Sequence, residues 1–245
     1  MSVDRLVLDH FTQRAARYNI SSHWVDDPVL GARTVELLDV RPTDVLLDVA
    51  CGTGLVSKHF KGRVARIVGV DITSAMFEQA KPHIDEMVVG QGEHLPFPDA
   101  SFDRIVCRQG VQFMRDGDAA REMLRVLKPG GKVALVHLCA YGDADRAEYF
   151  EILRLRNEAR RNFYSRESLA GLLVNAGFRN VKVHDYISTE DVDVWSDTGA
   201  ITEEAREGIR NVYRNASPAF RELHASQVGD RIVDHMLFGI AVGEK

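Results

Sequence analysis

Leu46-Leu47-Asp48-Val49-Ala50-Cys51-Gly52-Thr53-Gly54-Leu55-Val56-Ser57-Lys58-His59-Phe60 reads as a buried strand that runs through a glycine turn directly into a helix. Gly52 and Gly54 carry no Cβ. The backbone can therefore turn sharply, and a small nucleoside-like ligand can approach the main chain beside the amides that open the following helix. A second apolar strand, Arg66 to Val70, ends at Asp71. A carboxylate at the tip of the next strand can accept hydrogen bonds from both hydroxyls of a ribose. Ser57 stands where the later glycine of a Gly-x-Gly-x-x-Gly pattern would fall, which speaks against a dinucleotide cofactor.

Outward from this stretch, strand and helix signals alternate, as they do in a parallel sheet covered on both faces. Strands are expected at 45–49, 66–70, 86–89, 103–107 and 132–139, with helices between them, and two more at 180–187 and 235–242. Pro129-Gly130-Gly131 closes a helix over 119–127 and launches the fifth strand. Residues 189–231 separate the last two strands, far more than a hairpin turn needs, and hold a helix from Glu203 to Arg214 and another around Pro218 to His224. Residues 1–40 precede the first strand as helical material. No repeat, low-complexity tract or linker divides the chain, so 1–245 is expected to form a single domain.

Four blocks carry a family resemblance in order and spacing: Leu47-Asp-Val-Ala-Cys-Gly-Thr-Gly54, Gly69-Val-Asp71, Gly92-Glu-His-Leu-Pro-Phe-Pro-Asp-Ala-Ser-Phe-Asp103 and Leu124-Arg-Val-Leu-Lys-Pro-Gly-Gly-Lys132. A tail block from Tyr164 to Phe178 fits as well. The chain resembles the Rossmann-like S-adenosylmethionine-dependent methyltransferases, of the broad group that includes the ubiquinone/menaquinone biosynthesis methyltransferases. The resemblance implies an α/β fold: a doubly wound, seven-stranded, mostly parallel sheet in the order 3-2-1-4-5-7-6. Helices would cover both faces, and a helical insertion would lie between the last two strands, forming part of a cap over the acceptor pocket. The implied activity is transfer of the methyl group of S-adenosylmethionine to an oxygen, nitrogen or carbon of a small-molecule acceptor, releasing S-adenosylhomocysteine. Use of the same cofactor for a non-methyl transfer, and a non-catalytic nucleoside-binding protein, are the alternatives.

The resemblance also assigns cofactor contacts. Asp48 orients the loop or the amino group, and Gly52 and Gly54 let the turn pass beneath the cofactor. Ala50 replaces the first glycine of the usual pattern and gives a fuller turn. Asp71 takes the ribose, and Ile72 packs on the adenine face. Gln91 and Gly92 stand where relatives often carry Asp and Ala; the Gln carbonyl can still accept from the adenine amino group, and Glu93 follows. Tyr18 matches a tyrosine that closes over the cofactor, and the segment 1–40 folds over it.

Ligands of open α/β sheets bind beyond the carboxyl ends of the strands. That rule nominates Cys107, Arg108, Gln109 and Gln112 after the fourth strand, and His137, Cys139 and Tyr141 at the end of the fifth. Cys107 falls to the cofactor side, Gln109, Gln112, Tyr141 and Trp195 to the acceptor pocket. Arg108 would hold a carboxylate or an anionic acceptor, and His137 would act as general base. Tyr164, Tyr186, Phe113 and Met114 could add apolar walls suited to a flat, partly polar molecule.

Composition sets the outer limits. At 245 residues and 45% apolar content the chain buries a full core, and the net charge of −5 gives no footprint for nucleic acid or an anionic membrane. Arg154, Arg156, Arg160 and Arg161 read as the solvated face of a helix. No apolar run is long enough to span a bilayer, and the amino terminus lacks signal-peptide order, so a cytoplasmic monomer or homodimer is expected. Three cysteines suggest no disulfide framework, and the scattered nine histidines suggest no metal.

Overall fold

In β1 (Val45–Val49), chain neighbours Leu46 and Leu47 are both fully buried, which places the strand at the centre of a sheet with no solvent face. The computed structural model describes residues 3–14, 19 and 23–245. In it β1 pairs in parallel with β2 (Arg66–Asp71) on one side and β4 (Phe102–Arg108) on the other. Beyond them lie β3 (Glu86–Val89) and β5 (Leu127–Ala140), also parallel. β9 (Ile232–Glu244) runs antiparallel to β5 and to β7 (Arg179–Asp191), giving the order β3-β2-β1-β4-β5-β9-β7. Two-residue strands, β6 (Tyr164–Ser165) and β8 (Gln227–Val228), pair off this path. With those two set aside, the order is the expected 3-2-1-4-5-7-6.

Side-chain alternation drives both faces into cores. Leu46, Ile67 and Val106 enter one apolar cluster with α2 (Pro28–Leu38), while Leu47, Val68 and Ile105 enter another with α4 (Asp116–Val126) and α6 (Arg166–Ala176). α1 (Val3–Arg14) precedes the sheet, and α3 (Phe77–Ala80) follows β2. Among the described residues no helix is long and apolar enough to cross a membrane.

Two local readings are corrected. No α-helix follows the glycine turn; the chain makes a single 3₁₀ turn at Ser57–His59. Gly54 and Gly62 are both left-handed, with φ of 76° and 75°, and the few residues between them close after one turn. Pro129-Gly130-Gly131 does not interrupt the sheet either. β5 begins at Leu127, and the register shift opposite Phe102 and Arg104 absorbs the three residues as a bulge, with Gly130 at φ 76°.

The insertion holds α7 (Val192–Ser196), α8 (Glu203–Arg214) and α9 (Pro218–Leu223), capped by Asp191, Thr202 and Ser217. Its apolar faces bury Trp195, Ile209, Tyr213 and Phe220 against Tyr149 and Ile152 of α5 (Arg146–Arg156) and against β5 and β9. A buried polar clamp ties it down. His224 Nδ1 lies 2.8 Å from Asp234 Oδ1 and Nε2 lies 3.0 Å from Asp145 Oδ2, while the Tyr213 hydroxyl donates to Asp234 at 2.6 Å. Phe220 stacks on the imidazole at 3.9 Å.

Candidate functional site

A partly open cavity lies at the carboxyl ends of β1, β2 and β4. The turn after β1 shapes its floor through left-handed residues: Ala50 at φ 60° and Gly52 at φ 51° line the cavity. A Cβ built at Gly52 would meet nothing closer than Met76 Sδ at 3.9 Å, so a side chain there would occupy space left for a ligand. Gly54 does a different job. It is not on the wall, and a Cβ there would press on Ala80 Cα at 3.2 Å and His83 Cβ at 3.3 Å, so this glycine serves close packing on α3.

The fuller turn at Ala50 has a counterpart. A Cβ at Gly110 would fall 2.6 Å from Ala50 Cβ and 2.7 Å from Cys107 Sγ, so the loop after β4 meets the loop after β1 only because residue 110 has none. Cys107 itself is buried in the core below, its thiol pushed up to about 12 by burial, and it does not reach the cavity. That corrects its assignment to the cofactor side.

Asp71 lines the cavity and organises it. Oδ2 accepts from Gly52 N and Oδ1 from Thr73 N, each at 2.8 Å, and burial pushes the carboxyl above the usual carboxylate range. Each oxygen keeps a lone pair for a further donor. Ile72, Gln91, Gly92 and Glu93 also stand on the wall. Glu93 Oε1 additionally accepts from Arg115 N at 2.9 Å, next to the start of α4. Asp48 lies beneath the turn rather than on the wall: Oδ2 accepts from Ser57 Oγ at 2.6 Å, and burial pushes the carboxyl up to about 7. Of its two expected roles, the geometry fits the loop. Tyr18 lies outside the described residues.

Arg108 is on the wall, with its guanidinium donating to Val25 O at 2.7 Å and Trp24 O at 3.4 Å. His137 is not. It sits inside β5 beside the Tyr164 ring, 1% exposed, and burial with Arg160 nearby pushes it down to about 3, so it cannot take a proton from a ligand in the cavity. A β-strand histidine at this register faces the core rather than the strand end. Tyr141 is likewise turned away, donating to His235 O at 2.8 Å with its ring against His224.

A smaller second chamber adjoins the first across Phe11, Gln109 and Phe113, which line both. Gln112 lines it, joined by Trp24, Arg156 and Arg160. Trp195 does not. It is fully buried behind Arg156, whose guanidinium lies 4.3 Å from its ring and donates to its carbonyl at 3.0 Å. No described residue of 189–231 lines either cavity; the segment reaches the chamber's walls through this contact and through Glu190 Oε1, which accepts from Trp24 N at 3.1 Å.

The arginine stretch divides. Arg154 is exposed and pairs with Glu151, but α5 stops at Arg156, and the chain then turns Arg160 inward. Val7 and Phe11, four residues apart on one face of α1, roof the first cavity; that i, i+4 apolar pair in a polar helix was the available signal. Among the described residues no group of three or more His, Cys, Asp or Glu side chains is placed to hold a metal.

A doubly wound sheet with a glycine-floored cavity at its topological switch and an acidic residue on the second strand defines a nucleoside-binding α/β protein. A methyltransferase-domain family matches residues 47–135. The chain is 31% identical over 227 residues to a ubiquinone/menaquinone biosynthesis C-methyltransferase of Shewanella frigidimarina, covering 76% of this chain and 86% of that one. Its fold is similar to that of the YcgJ protein of Bacillus subtilis (TM-score 0.80, 24% identity, 88% and 97% of the two chains). It is also similar to a Streptomyces coelicolor geranyl diphosphate C-methyltransferase solved with S-adenosyl-L-homocysteine (TM-score 0.58, 14% identity, 88% and 76%). The chain belongs to the S-adenosylmethionine-dependent methyltransferases, in the group similar to the ubiquinone/menaquinone biosynthesis enzymes. It is an enzyme that moves the methyl group of S-adenosylmethionine to a small-molecule acceptor.

Proposed function

We propose that the first cavity holds S-adenosylmethionine and the second chamber the acceptor, with Phe11, Gln109 and Phe113 between them. The open space over Gly52 beside the Asp71 carboxylate carries this reading, because a ribose needs both close backbone approach and a diol acceptor. Ile72 and Met114 supply apolar contact for a purine, and Gln91 and Glu93 supply polar contact at its edge. Arg108 holds the neighbouring segment by its carbonyls and adds positive charge for a carboxylate.

Bound S-adenosylmethionine supplies a methyl carbon made electrophilic by its sulfonium. The protein's own part is alignment and exclusion of water. Phe11 and Phe113 close the passage between the cavities, and Gln109 and Gln112 orient the acceptor. Neither cavity is lined by a described His, Cys, Lys or Tyr, so the proposal assigns no proton transfer to side chains of those kinds. The relatives' names support a quinone-type ring as one acceptor class. A monomer or homodimer acting in the cytoplasm on a small molecule, rather than on nucleic acid, completes the proposal. Three buried free cysteines support a reducing setting.

Calorimetric titration with S-adenosylmethionine and S-adenosylhomocysteine tests it. Micromolar binding of both is expected, and absence of binding would overturn the reading. Gly52→Val should weaken S-adenosylhomocysteine at least about tenfold, since it adds a branched side chain to the floor at a left-handed φ. A variant that melts like the parent and binds as tightly would contradict the proposed approach.

A further inference from the structure

The second chamber carries an unbalanced charge. Arg160 lines it, and its guanidinium has two long hydrogen bonds, Nη1 to Asn162 O at 3.5 Å and Nη2 to Gln109 Oε1 at 3.4 Å. Both lie at the weak end of hydrogen-bond geometry. Among the described residues no carboxylate pairs with it; Tyr149, Tyr164 and Cys139 act on its charge, the Phe163 ring centroid lies 5.6 Å from its Cζ, and burial pushes the guanidinium down to about 10. A half-buried guanidinium with no carboxylate partner among the described residues is unfavourable, and its cost falls when an anion arrives.

The amides around it are oriented by their own bonds. Gln112 Nε2 donates to Gln109 O at 2.7 Å and to Gln109 Oε1 at 3.0 Å. That leaves Gln109 Nε2 as a buried donor and Gln112 Oε1 as a buried acceptor, each without a protein partner, and Trp24 Nε1 is a further unpartnered donor. Gln109 also sits at φ 53°, a conformation side chains rarely adopt and one that concentrates at ligand sites. The lining thus holds two guanidinium cations, Arg156 and Arg160, and two open donors against one open acceptor. A carboxylate answers it: planar, acceptor-only, and matched to the guanidinium fork. The single open acceptor then takes a hydroxyl or amino proton from the same molecule.

We propose that the acceptor is a small hydroxy- or amino-carboxylate, seated with its carboxylate against Arg160 and Gln109 Nε2 and its proton-bearing group toward Gln112 Oε1. The proposal rests on reading the adjoining cavity as the S-adenosylmethionine site, and it narrows the acceptor from a flat polar molecule to an anion. Arg160 is a binding and specificity residue in this scheme.

Salicylate and its neutral isostere salicylamide are the probes, titrated calorimetrically into the full chain saturated with S-adenosylhomocysteine. Salicylate should bind at least about tenfold tighter than salicylamide, and Arg160→Gln should lose at least about tenfold for salicylate while holding S-adenosylhomocysteine within about twofold. Arg160→Lys, which keeps the charge without the fork, should fall between. No salicylate binding to the parent at millimolar concentration, equal binding of the two probes, or an undiminished Arg160→Gln would each overturn the proposal. If the parent fails to bind S-adenosylhomocysteine, the cofactor reading has failed by itself. The salicylate titration of the free protein then still decides the anion site, because it needs no cofactor. Retained S-adenosylhomocysteine affinity and an unchanged melting temperature certify that the variants fold.

Discussion

Replacing His224 by alanine should destabilise the protein by about 3–5 kcal/mol, because two carboxylates at zero exposure would lose their shared partner. Asp234 would keep the Tyr213 hydroxyl, and Asp145 would keep the amides of Tyr141 and Gly142. Neither would keep a cation. The same clamp sets a pH dependence. Burial opposes charge on the imidazole, but the hydrogen bonds to Asp145 and Asp234 outweigh it and hold His224 up to about 9, against 6.5 for the free group. The folded state therefore binds this proton more tightly than the unfolded chain, so its stabilisation is complete below pH 6.5 and lost as pH rises through about 9. Melting curves should show the parent far above His224→Ala at pH 6, with the gap narrowing toward pH 9.5. A gap that widens with pH would mean the imidazole is neutral in the fold.

Asp71→Ala should lower affinity for S-adenosylhomocysteine by about 1–3 kcal/mol, the range for removing a charged hydrogen-bond acceptor. Two losses contribute. The ribose would lose its proposed acceptor, and Gly52 N and Thr73 N would lose the oxygens that set the turn beside it. Asp71→Asn separates them, since its amide retains one acceptor oxygen but presents a donor to the second backbone amide; it should fall between parent and alanine. Calorimetry reads the affinity, and a melting curve reads the turn. Unchanged affinity in Asp71→Ala would remove Asp71 from the site.

What could be read from the chain alone was whatever depends on neighbours in sequence. The buried run at Leu46 and Leu47, the placement of Asp71 at a strand tip and the capped helix from Glu203 to Arg214 all follow from local pattern, and the structure carries each. The strand order came with the four family blocks. Misreadings arose where a distant element decides. His137 was placed at a strand end by spacing, but Tyr164 and the sheet neighbours bury it. Trp195 carried the bulk of a pocket aromatic, yet α5 and α8 close over it. Arg160 was counted with the helix before it, although the helix stops at Arg156, and only the fold brings residue 160 to Gln109. No periodicity in a single sequence encodes a meeting of residues 24, 109, 112 and 160.

The fit of Ala50 against the bare backbone of Gly110 couples the two loops sterically. Position 110 cannot gain a side chain alone, because any Cβ there collides with the methyl at 50 and the sulfur of Cys107, while glycine at 50 would relieve a left-handed alanine and leave a gap. Substitutions there should be strongly non-additive, with Gly110→Ala tolerated better once residue 50 is glycine, although the thiol at 107 still limits it. Loop grafts from relatives that carry glycine at the first position should accordingly transfer both segments as a pair.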